Sequence, residues 1–204
     1  MAPVTEGGRS ACTNVRAVEL TLTRPANSVE NYWFRRHEVA YLAARPWLRG
    51  ATVLETAGEG HGADILAAVA REVITTGTDV PDHSVDVVVS LQLRPDVTEC
   101  ARVLRPAGTL IVSTPTRPGG ADELTAFLEP HFRVDRLYGV RHRGRLRRLD
   151  RKFADGFAAE VAAPPATWHP ALRREVTRVT HRDFTFTEDD VDTSLDLFAV
   201  AIAR

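Results

Sequence analysis

Val53-Leu54-Glu55-Thr56-Ala57-Gly58-Glu59-Gly60-His61-Gly62 is the stretch that decides the fold. A short apolar run from Thr52 ends on an acid and passes through alternating glycines. Ile65, Leu66 and Val69 then follow at helical spacing. This is a strand, a tight turn and a helix. Without a Cβ, glycine lets the backbone bend sharply and lets a ligand approach, while the next helix offers free N–H groups. The spacing differs from the G-x-G-x-x-G dinucleotide fingerprint, and no Gly-Lys-Ser/Thr follows, which excludes a P-loop. Taken alone, the same loop also reads as a plain strand–helix turn.

Working outward, a helix is predicted over residues 28–44. Asn27 and Glu30 have capping-box spacing, Trp33, His37 and Tyr41 recur every fourth residue, and Pro46 stops the run. Beyond the glycine loop, Val73 to Thr76 reads as a strand. Val85 to Leu91 (VDVVVSL) has the β-branched continuity of a strand buried on both faces of a parallel sheet. Asp96 and Glu99 can cap a helix carrying Val97, Ala101 and Leu104, and Pro106 to Gly108 turns into a strand over 109–113. A helix over 122–128, a strand over 133–140, a helix over 171–179 and a strand over 195–202 complete the pattern. Strands alternating with helices mean α/β architecture with a mostly parallel sheet. Residues 1–17 read as a flexible N-terminus and 18–204 as a single domain, with a basic insertion over about 141–165.

Of 204 residues, 44% are hydrophobic and 26% charged, which excludes wholesale disorder. A chain this long buries enough surface to fold without disulfide or metal staples. The net charge of −1 argues against a general nucleic-acid or membrane-surface binder. Lys152 is the only lysine; arginine carries the remaining positive charge. Cys12 and Cys100 form neither a disulfide framework nor a zinc site, no signal peptide is recognisable, and no apolar run approaches the roughly 20 residues that span a bilayer. The expectation is a soluble cytoplasmic protein. A homodimer is compatible with the sequence, which does not fix the assembly.

Three segments carry a family resemblance. Val53-Leu54-Glu55 into Gly58-x-Gly60-x-Gly62 resembles motif I of class I S-adenosylmethionine-dependent methyltransferases. Ser84-Val85-Asp86-Val87-Val88-Val89-Ser90 looks like their fourth strand. Ala101-Arg102-Val103-Leu104-Arg105-Pro106-Ala107-Gly108-Thr109-Leu110-Ile111-Val112-Ser113-Thr114-Pro115 is similar to their "ARVLRPGG…VSTP" helix–strand signature. The opening Glu30-Asn31-Tyr32-Trp33-Phe34-Arg35-Arg36-His37 and the closing Asp192-x-Ser194-Leu195-Asp196-Leu197 resemble the actinobacterial branch linked to polymethylated polysaccharides of the methylglucose lipopolysaccharide type. The resemblance covers about residues 18–202. It implies a Rossmann-like three-layer sandwich, S-adenosylmethionine as cofactor, and O-methylation of a small molecule, with a saccharide hydroxyl as acceptor. Glu55, Gly58, Gly60 and Gly62 would line the cofactor.

The sequence departs from that family pattern in three places. Glu55 is followed by Thr56 and Ala57 before the first glycine, where the family places an acid, one residue and a glycine. The acid that closes the family's second strand, and holds the ribose hydroxyls, is absent after Val73-Ile74-Thr75-Thr76; Asp79 is the nearest carboxylate and leads almost directly into Val85. The acid–histidine pair often found after strand four is replaced by Leu93-Arg94-Pro95-Asp96. The expectation is therefore a shortened class I fold. A hydrogen bond to a charged group is worth roughly 1.5–3 kcal/mol, so loss of the ribose carboxylate weakens binding by about one to two decades unless Asp79 replaces it. The alternative function is a non-catalytic module of the same fold that works by partner or polyanion binding.

Methyl transfer from a sulfonium needs alignment of donor and nucleophile and, for a hydroxyl, a proton acceptor. His37 and His142 are the candidate bases because histidine titrates near neutrality; a half-buried histidine on an amphipathic helix is the plainer reading of His37. His61, inside the loop, is either a cofactor contact or a solvated spacer. Tyr32 and Trp33 are candidate acceptor-binding residues or simple core. Arg36 reads as a ligand for the cofactor carboxylate or a substrate anion, or, as the plainer reading, as a surface salt-bridge residue. Arg143 belongs to a basic stretch running from Arg133 to Lys152, either an acceptor site or a face neutralised by Glu188, Asp189, Asp190 and Asp192. That stretch has few flanking aromatics, so stacking on nucleic acid is poorly supported. Asp82-His83 and the aspartates at 189, 190 and 192 match no metal-site spacing, and no metal is expected.

Overall fold

The computed structural model describes residues 28–56, 60–75 and 79–204. Among them α1 (Asn31–Ala44) leads into β1 (Thr52–Glu55), α2 (His61–Ala67), β2 (Glu72–Thr75), β3 (Val85–Leu91), α3 (Val97–Val103), β4 (Leu104–Pro115), α4 (Gly120–Leu128) and β5 (Phe132–His142). Then come α5 (Gly144–Asp150), α6 (Gly156–Ala162), α7 (Pro170–Thr177), β6 (Phe184–Thr187) and β7 (Asp196–Ala203). The strands form one sheet in the order β2-β1-β3-β4-β7-β5-β6. β1 to β4 pair in parallel; β7 is antiparallel to both β4 and β5, and β6 is antiparallel to β5. Five strands thus run one way, with β6 and β7 reversed.

Strand alternation separates two apolar layers. Val87, Val89 and Leu91 of β3, Ile111 of β4 and Phe198 of β7 face α1 and α2. Leu54, Val88, Leu110, Val112, Leu197 and Ala199 face α3 and α4 through Cys100, Val103, Leu124 and Leu128. Helix, sheet and helix make the three-layer sandwich. Asp96 caps α3 as expected, accepting from the Thr98 and Glu99 N–H groups at 3.0 and 3.1 Å.

Local differences from the expectations have identifiable causes. The Pro106 to Gly108 turn is absorbed into β4 as an irregularity: Ala107 takes φ +59°, and the register with β3 steps from Val85↔Leu104 to Val87↔Thr109. Helix α1 begins at Asn31, without a side-chain cap at Glu30. Asn31 instead donates to the carbonyls of Val176 and Val179 at 2.8 and 3.0 Å, tying α1 to α7. The capping role given to Asn27 lies outside the described residues. The basic stretch forms helices because Leu146, Phe157 and Val161 pack with Trp168, Leu172, Val176 and the α1 residues Tyr32 and Val39, a third apolar cluster.

Candidate functional site

Chain order puts the ligand crevice at the carboxyl end of the parallel strands. The chain leaves β1 for β2 on one side and returns to β3 on the other, which makes the end of β1 a switch point. Glu55 closes β1 there and is 1% exposed. Gly60, at the entry to α2, has φ +150° and ψ −168°, a conformation that only glycine adopts without strain. Gly62 serves packing: a Cβ there would collide with the Tyr41 ring. Gly58 lies outside the described residues, as does the His61 side chain.

Helix α1 straps across this end of the sheet through three polar contacts. Tyr32 donates to His142 Nε2 at the end of β5, at 2.9 Å. Arg36 grips Asp196 at the start of β7 with two 2.7 Å hydrogen bonds and donates a third to the Leu195 carbonyl. Tyr41 donates to Glu55 Oε1 at 3.0 Å. The helix is therefore buried over most of its length, and Tyr32, Arg36 and Tyr41 are held by strand ends.

These contacts set the electrostatics. Burial opposes the charge on Arg36, but the Asp196 carboxylate more than restores it, so the guanidinium stays protonated. This is a salt bridge of the interior, where the sequence alone favoured a surface one. Trp33 stacks on that guanidinium, 5.3 Å from its ring centre. Tyr32 is fully buried, and desolvation pushes its hydroxyl well above the usual range. His142 donates from Nδ1 to Asp150 at 2.8 Å while Nε2 accepts from Tyr32, which assigns the tautomer. Desolvation lowers its pKa although Asp150 pulls the other way. Both of its nitrogens are occupied.

His37 is different. Burial drags its pKa down to about 4, against an opposing pull from Asp196, so its imidazole is neutral at pH 7. It has no hydrogen-bond partner among the described residues. Asp79 is exposed and makes no hydrogen bond or ion pair among them.

The basic stretch is not neutralised in the way expected. Arg145 pairs with Glu175 of α7 and with Asp183. Arg141 reaches the backbone carbonyl of Asp190 and the hydroxyls of Thr193 and Ser194. No side chain of Glu188, Asp189, Asp190 or Asp192 forms an ion pair with it among the described residues. Arg143 lines an open cavity of about 540 Å³ bounded by the end of β5, α5, the start of α6 and β6.

Sequence reasoning assigned no role to Asp196, Asp150, Tyr41 or Gln92. A lone carboxylate opening the apolar run Leu197 to Ile202 was a signal for a buried cation. Gln92, just past β3, holds φ +67° and donates to Ser113 Oγ at 3.3 Å. Nothing in one sequence announces that.

The donor set fits a sulfonium nucleoside. A buried carboxylate ends β1, a glycine-only bend follows, and the Thr116 hydroxyl at the end of β4 is buried without a hydrogen-bond partner among the described residues. No helix among the described residues is long and apolar enough to cross a membrane.

No protein-family model matches the sequence. Among curated proteins, a "Probable S-adenosylmethionine-dependent methyltransferase" of Mycobacterium tuberculosis is 38% identical over 255 aligned positions, covering 95% of this chain and 93% of the relative. A similarly named protein of Mycolicibacterium smegmatis is 38% identical over 237 positions, covering 88% of this chain and 92% of its own length. Both alignments exceed the 204 residues of this chain, so the relatives carry segments that it lacks. A solved S-adenosylmethionine-dependent methyltransferase from Archaeoglobus fulgidus superposes with a TM-score of 0.48 at 15% identity, covering 86% of this chain and 97% of that one. The chain belongs to the S-adenosylmethionine-dependent methyltransferases, whose cofactor is S-adenosylmethionine.

Proposed function

We propose that the protein transfers a methyl group to a hydroxyl of a saccharide, within the cytoplasmic synthesis of a polymethylated polysaccharide. The observation that carries this reading is a juxtaposition. The Glu55–Gly60 crevice and the hydroxyl- and guanidinium-lined cavity beside β5 lie at the same end of the sheet, and α1 spans from one to the other: Tyr41 holds Glu55, and Tyr32 holds His142 on the cavity wall. Threonine hydroxyls and charged side chains suit a polyhydroxylated ligand.

S-adenosylmethionine, when bound, supplies an electrophilic methyl group on sulfur. Glu55, Gly58, Gly60 and Gly62 would hold it, with Asp79 as the ribose ligand. Tyr41 fixes the Glu55 carboxylate by hydrogen bond. Arg143 would bind the acceptor, and Tyr32, Trp33 and Arg36 hold the strap that separates the two halves. His37 would serve as the base in preference to His142. Its ring is neutral at pH 7, whereas each His142 nitrogen already has a partner. A neutral imidazole can accept the hydroxyl proton as the oxygen attacks, and burial shields the reaction from water.

Calorimetry with S-adenosylhomocysteine, followed by labelled methyl transfer to a panel of oligosaccharides, tests the proposal. Saturable binding and label in a methyl ether are expected. Absence of binding would turn the reading to the non-catalytic module; label in protein or nucleic acid would remove the saccharide.

A further inference from the structure

We infer that the cavity beside β5 selects acceptors that carry an anionic group, a carboxylate or a phosphate monoester. The inference rests on the methyltransferase reading for its direction, since the cavity is taken as the acceptor side. Its argument is the charge left uncompensated on the cavity wall.

Arg143 and Arg147 lie one turn apart at the start of α5, and both line the cavity. Neither side chain forms a hydrogen bond or an ion pair among the described residues. Their neighbour Arg145 shows what a paired arginine looks like here, bound to Glu175 and Asp183. Arg141, also on the wall, spends its donors on a carbonyl and two hydroxyls, none of which cancels its charge.

The two carboxylates on the same wall, Asp150 and Asp155, offset the three arginines only in part. Asp150 accepts from His142 Nδ1 and from the Phe157 N–H at 3.0 Å, neutral donors that engage its oxygens and leave its charge in place. Asp155 is exposed and makes no such contact among the described residues. Two free guanidinium forks beside one available carboxylate and the hydroxyls of Thr185 and Thr187 make a divided site. The forks match the planar or tetrahedral oxygens of an anion, and the remainder matches sugar hydroxyls.

A flat polyanion is a weaker fit than a small ligand. Arg148, Arg151 and Lys152, which a long nucleic acid would also need, are exposed but do not line the cavity.

The test is calorimetry on the full chain with glucose, glucuronate and glucose 6-phosphate, repeated in the R143Q/R147Q variant. Wild-type protein is expected to bind at least one charged sugar about tenfold or more tightly than glucose, with affinity falling as salt rises. Preference for glucuronate assigns a carboxylate, and preference for glucose 6-phosphate assigns a phosphate. The variant is expected to bring charged sugars down to the level of glucose, with its circular dichroism and S-adenosylhomocysteine affinity as controls of folding. Equal binding of all three sugars, undiminished binding in the variant, or binding confined to a polyuridylate probe would overturn the inference. Failure of S-adenosylhomocysteine to bind would instead strike the methyltransferase reading, because the sugar comparison is independent of that ligand.

Discussion

Arg36 and Asp196, 160 positions apart, face each other through paired 2.7 Å hydrogen bonds with both side chains almost wholly buried. The pair fastens α1 to the reversed strand at the centre of the antiparallel half. Deleting one partner strands a charge in the interior. Arg36→Met is expected to lower unfolding stability by about 3–5 kcal/mol in denaturant titration, and Asp196→Leu by a similar amount, whereas the double variant loses less than either alone. Additive losses would mean that the pair does not hold the strap.

Gly62 is a packing glycine. Placing a methyl group against the Tyr41 ring makes Gly62→Ala about 1–3 kcal/mol less stable. The cost is expected to shrink by at least about 0.5 kcal/mol when Tyr41 is first cut to Ala, because the ring it collides with is gone. A double-mutant cycle by thermal unfolding checks this. Gly60 answers to a different constraint: Gly60→Val strains the loop backbone and is expected to abolish S-adenosylhomocysteine binding while circular dichroism stays unchanged.

Buried His37 makes stability depend on acid. Its pKa lies near 4 when folded and near 6.5 when the chain is open, so the unfolded state binds the extra proton between those values. Stability is therefore full above about pH 6.5 and declines as pH falls towards 4, by about 3 kcal/mol at most from this residue. His142, lowered in the same direction, adds to the slope. In His37→Gln the decline across that window is expected to be shallower. If His37 is the base, kcat/KM should fall on an acid limb near pH 4, and a limb near 6.5 would assign the proton to another group.

Cys100 tests the inner face of α3. Burial, with Asp96 and Glu99 nearby, pushes its thiol up to about 12. In a Cys12→Ser background the native protein is expected to react with a disulfide reagent only as fast as it opens, and promptly in denaturant. Rapid native reaction would mean that α3 does not cover the sheet.

What could be read from one sequence follows the range of the forces involved. β1, β3 and the strand after Pro106 were legible because apolar runs and glycines act locally, and Asp96 was legible as a cap because it reaches only to Thr98 and Glu99. His37 was picked out by residue type, yet its depressed pKa depends on burial that no spacing reveals. Asp150 and Asp196 gain their meaning from His142 and Arg36, partners set by folding, and β6 was missed because Phe184 to Thr187 is short and pairs with a distant strand. Charge runs misled for the same reason. The acidic run does come beside the basic stretch, where Arg141 holds the Asp190 carbonyl, but none of its carboxylates pairs with an arginine of that stretch among the described residues, and the partners of Arg145 come from α7 and Asp183.

The position of β2 as the outermost described strand on its side has an evolutionary consequence. Four residues long and only partly covered, it bounds the sheet at the margin farthest from the Arg36–Asp196 lock. Polypeptide gained or lost beyond it would widen or narrow the sheet without repacking either apolar layer, and the entropic penalty of a longer connection grows only with the logarithm of its length. A lineage can thus trim or extend this flank while the antiparallel half, held by α1, keeps its shape.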